Sequence, residues 1–457
     1  MQVGDRLDPA DLVGQRWFAA PPRPITAITV EERFDFPGGG ALLILRVDVD
    51  GGRSLWRSMP IESADGRSPW VELLELAMRG GWIHTGDRAS LHAYRPTRPS
   101  TPSGLTVAPL GKDQSHTSVV VDDSTVLKLY RALTRTPNPE VELGRALADD
   151  PDAPVPTYRG AVTVSLSAAR LRWSESFALA FAQEYVPDAG DAFEDLAERL
   201  AAWLRAGAPN RAVPSLIVDA VPAARATTRL HSALFRKFKP ALNRRWVRPT
   251  DTGQWRRRAA RAHRTAVRVL RSADPERAGW LVERRDVIED ALAPLVESAA
   301  NWPPPGLQRI HGDLHLGQLL RDGYQFLISD LEGEPQRPVA ERRRLDTPLR
   351  DVASMLRSID HVARSGMRRA GMPIPELVAG TSAADPAIEA WLGAMRAKFL
   401  EAYAAEAAAR NLRVDIDARL LHALEVEKEL YEFSYAATYL PAWMYAPSAG
   451  MRWLLDR

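Results

Sequence analysis

A polar segment between residues 309 and 334 contains the residue types that phosphoryl transfer requires. Asp313 ends a His-Gly-Asp triplet, Gln318 follows five positions later, and Asp330 lies twelve positions beyond Gln318. A strand predicted at 324–329 makes the intervening chain hairpin-like, so two carboxylates and one amide come to one loop edge. One carboxylate can accept the proton of an attacking hydroxyl, and oxygen ligands can hold Mg²⁺ on the phosphates. The competing interpretation, a His-Gly-Asp that merely caps a turn, does not explain this spacing.

Lys128 is the candidate cation for the phosphates. It is the only lysine between residues 113 and 236, and it lies in the apolar strand sequence Val-Leu-Lys-Leu. Kinases use such a lysine together with a glutamate that holds it. We expect Glu142, in a predicted helix at 140–148, to be this partner, with Glu140 as the alternative. The competing interpretation of Lys128 is a solvated lysine on an edge strand.

Three segments are expected along the chain: an α/β segment at 1–104, a hairpin, helix and strand arrangement at 105–187, and a mostly helical segment at 188–457. The first two are separated by a loop rich in proline, which removes backbone donors and favours extended chain. The predicted strands are 41–50, 54–60, 105–110, 118–121, 125–130 and 177–185, and the predicted helices include 70–78 and 140–148.

Composition limits the possible functions. The 457 residues include no cysteine, which excludes disulfides, zinc–thiolate sites and thiol catalysis. The formal net charge is only +2, so general attraction to nucleic acid or membranes is not indicated. There is no run of about 18 apolar residues, and we expect a soluble cytoplasmic protein. Basic residues are dense at 225–271, where solvated helix faces are the simplest interpretation and an anionic partner or an oligomer contact is the alternative.

The segment 311–335 resembles the catalytic and metal loops of the aminoglycoside phosphotransferase-like kinases. More narrowly, His-Gly-Asp-Leu-His-Leu-Gly-Gln and Asp-x-Glu-Gly-Glu-Pro resemble the actinobacterial maltokinases and their glucosamine kinase relatives. Further matching patches occur at 348–357 and 15–19. The resemblance implies an α+β, bilobal protein-kinase-like fold, with an N-terminal α/β cap at 1–104, a nucleotide-binding lobe and a helical C-lobe.

The resemblance also implies roles for individual residues around the catalytic loop. Asp313 would be the catalytic base, and Gln318 and Asp330 would bind Mg²⁺. Glu332 would be a possible third ligand of the metal. Asp351 would be a buried structural aspartate.

On the nucleotide side, the resemblance implies that ATP is the phosphoryl donor. Lys128 and Glu142 would correspond to the lysine–glutamate pair of the superfamily. The loop before the strand, with Gln114 and Ser115, would cover the phosphates. The backbone at Glu184 and Val186 would bind adenine.

The acceptor is expected beside the helix that ends near Trp443. Tyr431, Glu432, Tyr435 and Trp443, together with His315 and Asp313, are the candidate sugar-binding residues. Aromatic rings beside carboxylates suit a sugar, although a solvated charged face with core aromatics is the alternative.

Compared with maltokinases, this helix has Ala436 in place of a second glutamate and Tyr439 in place of an arginine. A site rich in carboxylates and poor in arginine favours a cationic sugar. The departure resembles the actinobacterial glucosamine kinases, and this resemblance implies the 6-hydroxyl of glucosamine as the acceptor. The order of expected acceptors is glucosamine, then maltose, then an aminoglycoside. The competing classes are a kinase-like sensor without activity and a nucleic-acid-binding protein that uses residues 225–271.

Overall fold

The computed structural model divides the chain into two compact units. Unit 1 comprises Met1–Pro151, Pro156–Asp188 and Gln336–Arg342, and unit 2 comprises Asp152–Val155, Ala189–Pro335 and Arg343–Arg457. The structure describes residues 1–13, 18, 23–62, 68–85, 89–96, 106–110, 116–167, 175–187, 189–210, 213–238, 247–297, 307–377 and 385–456. The predicted proline-rich loop and the patch at 15–19 lie largely outside these residues.

Unit 1 is built on an antiparallel sheet whose strands follow the order β1-β2-β3-β4-β9-β11-β10-β6-β5, with β7 paired to β8 and β8 to β9. The strands are β1 Arg6–Leu7, β2 Ile25–Asp35, β3 Ala41–Val49, β4 Arg53–Ile61, β5 Gly81–Thr85, β6 Ala89–Tyr94, β7 Val107–Pro109, β8 His116–Val121, β9 Thr125–Arg135, β10 Tyr158–Leu166 and β11 Glu175–Glu184. The six strands predicted between residues 41 and 185 are confirmed, with ends shifted by a few residues.

The helices of the described chain have the following bounds. They are α1 Pro9–Val13, α2 Pro69–Arg79, α3 Pro139–Leu147, α4 Ala192–Arg205, α5 Val213–Leu216, α6 Ala220–Lys237, α7 Pro249–Ala273, α8 Pro275–Glu283, α9 Arg285–Leu292, α10 Pro294–Glu297, α11 Val339–Arg342, α12 Leu349–Arg369, α13 Pro386–Ala409, α14 Ala418–Tyr439 and α15 Tyr445–Leu455. None of them is long and apolar enough to cross a membrane, as far as the described residues go.

The core of unit 1 forms where α2 packs on the sheet. Ser68 caps the helix by accepting a hydrogen bond from the backbone N–H of Trp70, and Leu74 is fully buried among strand residues. Gly160 of β10 has a φ of +143°, and a Cβ there would overlap the carbonyl oxygen of Ala77. Glycine is therefore needed at this position because α2 touches the strand backbone.

Strands from both predicted N-terminal segments join the same sheet. β6 pairs with β10 along six register positions, and β4 pairs with β9 at Arg57 and Ala132. The separation of a cap at 1–104 from a lobe at 105–187 stays a prediction. The antiparallel α+β arrangement expected for the second segment is confirmed, because β8, β9, α3, β10 and β11 follow in that order.

Unit 2 is mostly helical, as predicted, and its centre is α12. This helix is buried on nearly all sides, and Arg357 is only 1% exposed. The Arg357 guanidinium lies 2.9 Å from Glu429 and 3.3 Å from Glu425 on α14. A Cβ at Gly450 would overlap a carboxylate oxygen of Glu429, so α15 leaves room for this ion pair only with glycine there. Paired charges thus replace part of the apolar core between α12 and α14.

Candidate active site

The His-Gly-Asp segment is anchored to α12 through Asp351. The backbone N–H groups of His311 and Gly312 each donate to the Asp351 carboxylate at 2.8 Å, and His231 Nε2 lies 3.0 Å from it. Asp351 is fully buried, which confirms its predicted structural role. Gly312 has a φ of +85°, a conformation that favours glycine. The anchor therefore fixes the backbone immediately before Asp313.

Asp351→Ala is expected to lower the free energy of unfolding by about 4 kcal/mol, because two buried backbone donors would lose a charged acceptor. Urea unfolding followed by circular dichroism measures this loss. Asp351→Asn is the matched control, since it keeps one acceptor oxygen and should lose less. An unfolding midpoint of Asp351→Ala equal to that of the unchanged protein would contradict the anchoring role.

Asp313 belongs to a cluster of three carboxylates around one ammonium group. Lys428 Nζ lies 2.9 Å from Asp313, 3.1 Å from Glu334 and 3.0 Å from Glu432. The Asp313 side chain is 19% exposed and the Lys428 side chain 10% exposed. Asp313 comes from the loop before the hairpin of β12 Leu319–Asp322 and β13 Gln325–Ile328, whereas Lys428 and Glu432 lie one turn apart on α14. The site therefore holds three anionic groups close enough to share one cation.

The electrostatics of this cluster keep Asp313 able to act as a base. Burial alone would raise the pKa of Asp313, but Lys428 and His315 hold that pKa below its ordinary value. Burial disfavours the charged form of Lys428 too, yet Asp313, Glu432 and Glu334 raise its pKa well above the ordinary value. Burial raises the pKa of Glu432 in spite of Lys428. Asp313 is thus ionised at neutral pH and can accept a proton.

Lys428→Met is expected to move the acidic limb of the kcat/KM profile to higher pH. We expect the ionised form of Asp313 to be the active form, so that activity should be lost as the pH falls through its pKa. Without Lys428, burial raises that pKa, so the loss begins at a higher pH. A pH profile of initial rates measures the shift, and Lys398→Met, an exposed lysine on α13, serves as the control. An unchanged acidic limb would contradict the electrostatic role of Lys428.

The predicted metal ligands lie at the ends of a hairpin formed by β12 Leu319–Asp322 and β13 Gln325–Ile328. The hairpin brings the Gln318 amide nitrogen to 3.3 Å from Asp330 Oδ2. Carboxylate oxygens of Asp330 and Glu332 lie within 4.8 Å of each other. Two carboxylates and an amide are oxygen donors of the kind that Mg²⁺ prefers, so the donor set fits this metal.

Asp330 has a φ of +57°, in the left-handed region that few residues other than glycine adopt. Its neighbour Ser329 holds the turn, because its backbone N–H donates to the Gln318 carbonyl at 2.9 Å. His315 also lies close, with Nε2 3.2 Å from the Gln318 amide nitrogen. Burial lowers the pKa of His315, which keeps the ring neutral so that it can accept this hydrogen bond. A strained backbone at this point is typical of a functional site.

The aromatic residues expected at the acceptor site lie on and just after α14. The Tyr431 and Tyr435 rings are stacked, with centroids 6.3 Å apart. Burial raises the pKa of Tyr435, and the charges of Asp313 and Glu432 add to this effect. Trp443 packs edge-on against His361, whose Nε2 is 3.1 Å from Glu429. The structure thus places the α14 residues that are predicted to bind the sugar around the cluster that contains Asp313.

In unit 1, the predicted partner of Lys128 is wrong. Lys128 Nζ lies 3.0 Å from Glu140, and both side chains are buried. Glu142 instead lines a cavity on α3 together with Arg145. Asn138 caps α3 by accepting hydrogen bonds from the first backbone N–H groups, and this start point turns Glu140 toward β9. Glu142 lies two residues further on, about 200° around the helix.

Other predicted nucleotide contacts stay predictions. Gln114 and Ser115 lie outside the described residues. Glu184 ends β11, where its backbone N–H donates to the Thr157 carbonyl at 2.8 Å and its carboxylate accepts from the Thr157 hydroxyl at 2.5 Å. Val186 follows β11 within unit 1. The segment predicted to bind adenine thus lies at the end of a strand, β11, as the prediction required.

Sequence reasoning missed that Lys428 forms ion pairs with Asp313 and Glu334. The residue patterns do not single out Lys428, although it is one of just six lysines among 60 basic residues. The same rarity that singled out Lys128 could have indicated it. Glu334 lies in the distinctive Glu-Gly-Glu-Pro sequence, but nothing local indicates that it reaches a lysine on α14.

Comparison with known proteins identifies the family. No family model matches the chain. A glucosamine kinase from Mycolicibacterium smegmatis is 30% identical over 349 residues, which cover 76% of this chain and 79% of the relative. The chain belongs to the glucosamine kinase family. A glucosamine kinase from Streptacidiphilus jiangxiensis is 28% identical over 417 residues, covering 89% of this chain and 84% of the relative.

Solved structures of glucosamine kinases have the same fold. One crystal form superposes with a TM-score of 0.67 at 21% identity, covering 97% of this chain and 98% of the other. A second structure, a complex with glucosamine, ADP and inorganic phosphate, superposes with a TM-score of 0.64 at 22% identity, covering 98% and 99%. The predicted protein-kinase-like fold and the predicted family are therefore confirmed.

Proposed function

We propose that the protein transfers the γ-phosphoryl group of ATP to glucosamine, giving glucosamine 6-phosphate and ADP. Membership of the glucosamine kinase family supports this reaction. The observation that carries the choice of acceptor is the cluster of Asp313, Glu334 and Glu432 around a single ammonium group, that of Lys428. A protonated amino sugar supplies a positive charge that these carboxylates can bind and that glucose and maltose lack.

The reaction needs a base, a cation on the phosphates and an acceptor held in place. Asp313 accepts the proton of the sugar hydroxyl as that oxygen attacks phosphorus. Lys128, held by Glu140, neutralises negative charge on the phosphates. Glu432 and the Tyr431 and Tyr435 rings bind and orient the sugar, because an apolar ring face can stack on the sugar and a carboxylate can accept hydrogen bonds from its hydroxyl or ammonium groups.

Gln318, Asp330 and Glu332 would hold Mg²⁺, which when bound offsets charge on the phosphate oxygens. The hairpin that joins Gln318 to Asp330 fixes their spacing independently of the metal. The protein's own contribution to this part of the reaction is therefore a fixed spacing between the Gln318 amide and the Asp330 carboxylate.

An ADP-release assay with glucosamine, glucose, maltose and an aminoglycoside tests the acceptor. The largest kcat/KM is expected for glucosamine, and Glu432→Gln is expected to lower that value by about tenfold or more while changing the glucose value less. Turnover of maltose without turnover of glucosamine would overturn the acceptor and leave the kinase reaction standing. Absence of ADP release with all four would favour a kinase-like sensor.

Glu140→Gln is expected to lower kcat/KM for ATP by about 10- to 100-fold, because a charged hydrogen bond to buried Lys128 contributes about 1.5–3 kcal/mol. Glu142→Gln is the matched control on the same helix and should stay within about twofold of the unchanged enzyme. Initial rates at varied ATP measure both values. A larger loss in Glu142→Gln than in Glu140→Gln would restore the original assignment of the lysine partner.

A further inference from the structure

Part of the basic stretch at 225–271 lines a cleft that the proposed reaction does not use. One face of α7 forms one side of this cleft, and α9 and α10 form the other. Its volume is about 980 Å³. Clefts that hold small molecules and cofactors span roughly 300–1,000 Å³, so this cleft is large enough for such a ligand.

The face of α7 in the cleft combines small apolar residues with arginines, and Arg256 and Arg285 also line the cleft. At 100° per residue, Ala260 and Val267 fall on one side of the lining face of α7. Arg257, Arg264, Arg268 and Arg271 fall on the adjacent edge of the same face. Arg257 and Arg271 are fourteen positions apart, which corresponds to about 21 Å along the helix axis.

The wall opposite α7 is also apolar and open to solvent. Val282 and Val296 line it, and they are 49% and 40% exposed. The cleft therefore offers a ligand both apolar contact and positive charge.

The positive charge of the α7 arginines is not offset by the acidic residues of the cleft. Glu289 forms an ion pair with Arg285 at 2.7 Å, and Glu297 forms one with Arg419 at 2.7 Å. Within the described chain, no carboxylate lies in ion-pair distance of Arg257, Arg264, Arg268 or Arg271. Burial lowers the pKa of His263 in the cleft, so this ring adds no charge at neutral pH.

We propose that this cleft binds an organic phosphate, a ligand in which one or more phosphate groups are joined to an apolar body. Guanidinium groups pair with phosphate through two parallel hydrogen bonds, which suits the row of arginines. The apolar residues of α7 and of the opposite wall suit the body of the ligand. Nucleic acid fits less well, because the described lining residues include no Phe, Tyr or Trp on which bases could stack.

The helix α7 that lines the cleft packs against α14, which carries Tyr431, Glu432 and Tyr435. Leu270 of α7 and Leu430 of α14 belong to the same apolar cluster, and Arg258 lies 2.8 Å from Glu427. Glu427 is adjacent in sequence to Lys428. Asp313 is not among the residues that line the cleft, so a ligand there is distinct from the proposed sugar substrate.

Calorimetric titration of the full chain tests the proposal. The probes are ADP, a short-chain lysophosphatidate below its micellar concentration, inorganic pyrophosphate, an oligoglutamate peptide and a single-stranded oligonucleotide. The test variant is Arg264→Glu with Arg268→Glu. The control carries the same charge change at two exposed arginines away from the cleft, Arg6→Glu with Arg413→Glu.

The expected result is that ADP or lysophosphatidate shows a binding event that is at least about 100-fold weaker in the test variant and unchanged in the control. ADP distinguishes a nucleotide ligand from a lipid phosphate, and pyrophosphate shows how much the apolar body adds. Binding of ADP at the catalytic site, and kcat without added ligand, should be equal in both variants. Absence of any such event, or its equal loss in the control, would overturn the proposal. So would binding of oligoglutamate or oligonucleotide in place of every organic phosphate, which would assign the cleft to a macromolecular partner.

Discussion

Asp313→Asn is expected to lower kcat by about 10³-fold, which is in the range of rate enhancements from general acid–base catalysis. The amide cannot accept the proton of the sugar hydroxyl. It also cannot balance the charge of Lys428, which lies 2.9 Å away. KM for the sugar should change much less than kcat, because Glu334 and Glu432 remain. Initial rates at varied glucosamine measure both values.

Asp322→Asn is the control for this change, because Asp322 is an exposed aspartate at the tip of the β12–β13 hairpin. It should retain full activity. A kcat for Asp313→Asn within about tenfold of the unchanged enzyme would show that another group accepts the proton. In that case His315, which lies next to Gln318, would be the residue to test.

Asp330→Asn is expected to lower kcat/KM for ATP by at least about 100-fold. An ion that offsets charge on phosphate contributes several kcal/mol, and each 1.4 kcal/mol is a factor of ten in rate. The backbone at Asp330 has a φ of +57°, which asparagine also tolerates, so the turn should be preserved. The loss should therefore come from the missing carboxylate and not from a change of fold.

A readout independent of activity separates these two causes for Asp330→Asn. Calorimetric titration of Mg²⁺ into the complex with ADP should show weaker binding in Asp330→Asn and a smaller change in Glu332→Gln. Unfolding curves of the three proteins should coincide. Equal Mg²⁺ affinity in Asp330→Asn and the unchanged protein would remove Asp330 from the metal site.

Candidate functional residues that lie close together along the chain could be predicted from the sequence. Asp313, Gln318 and Asp330 lie on one loop and one hairpin, so their spacing along the chain is enough to bring them together. Lys128 was found because a lone lysine inside an apolar strand is an unusual choice for a merely solvated side chain. In each case the information is contained within about twenty consecutive residues.

Contacts between distant parts of the chain could not be predicted in the same way. Whether Glu140 or Glu142 faces Lys128 depends on where α3 begins, and both glutamates lie in its first turn. The contact of Lys428 with Asp313 joins residues that are 115 positions apart. Only the packing of α12 against α14, with its buried Arg357–Glu429 pair, brings them together. Periodicity along one helix does not contain that information.

The measurement that tests the proposed reaction most directly is a ³¹P NMR spectrum of the full chain incubated with ATP, Mg²⁺ and glucosamine. We predict a new phosphomonoester signal, coupled to the two protons of carbon 6, that grows as the γ-phosphate signal of ATP declines. The signal should be absent with Asp313→Asn over the same time. Loss of γ-phosphate to free phosphate alone, or a signal only with maltose in place of glucosamine, would contradict the proposed activity.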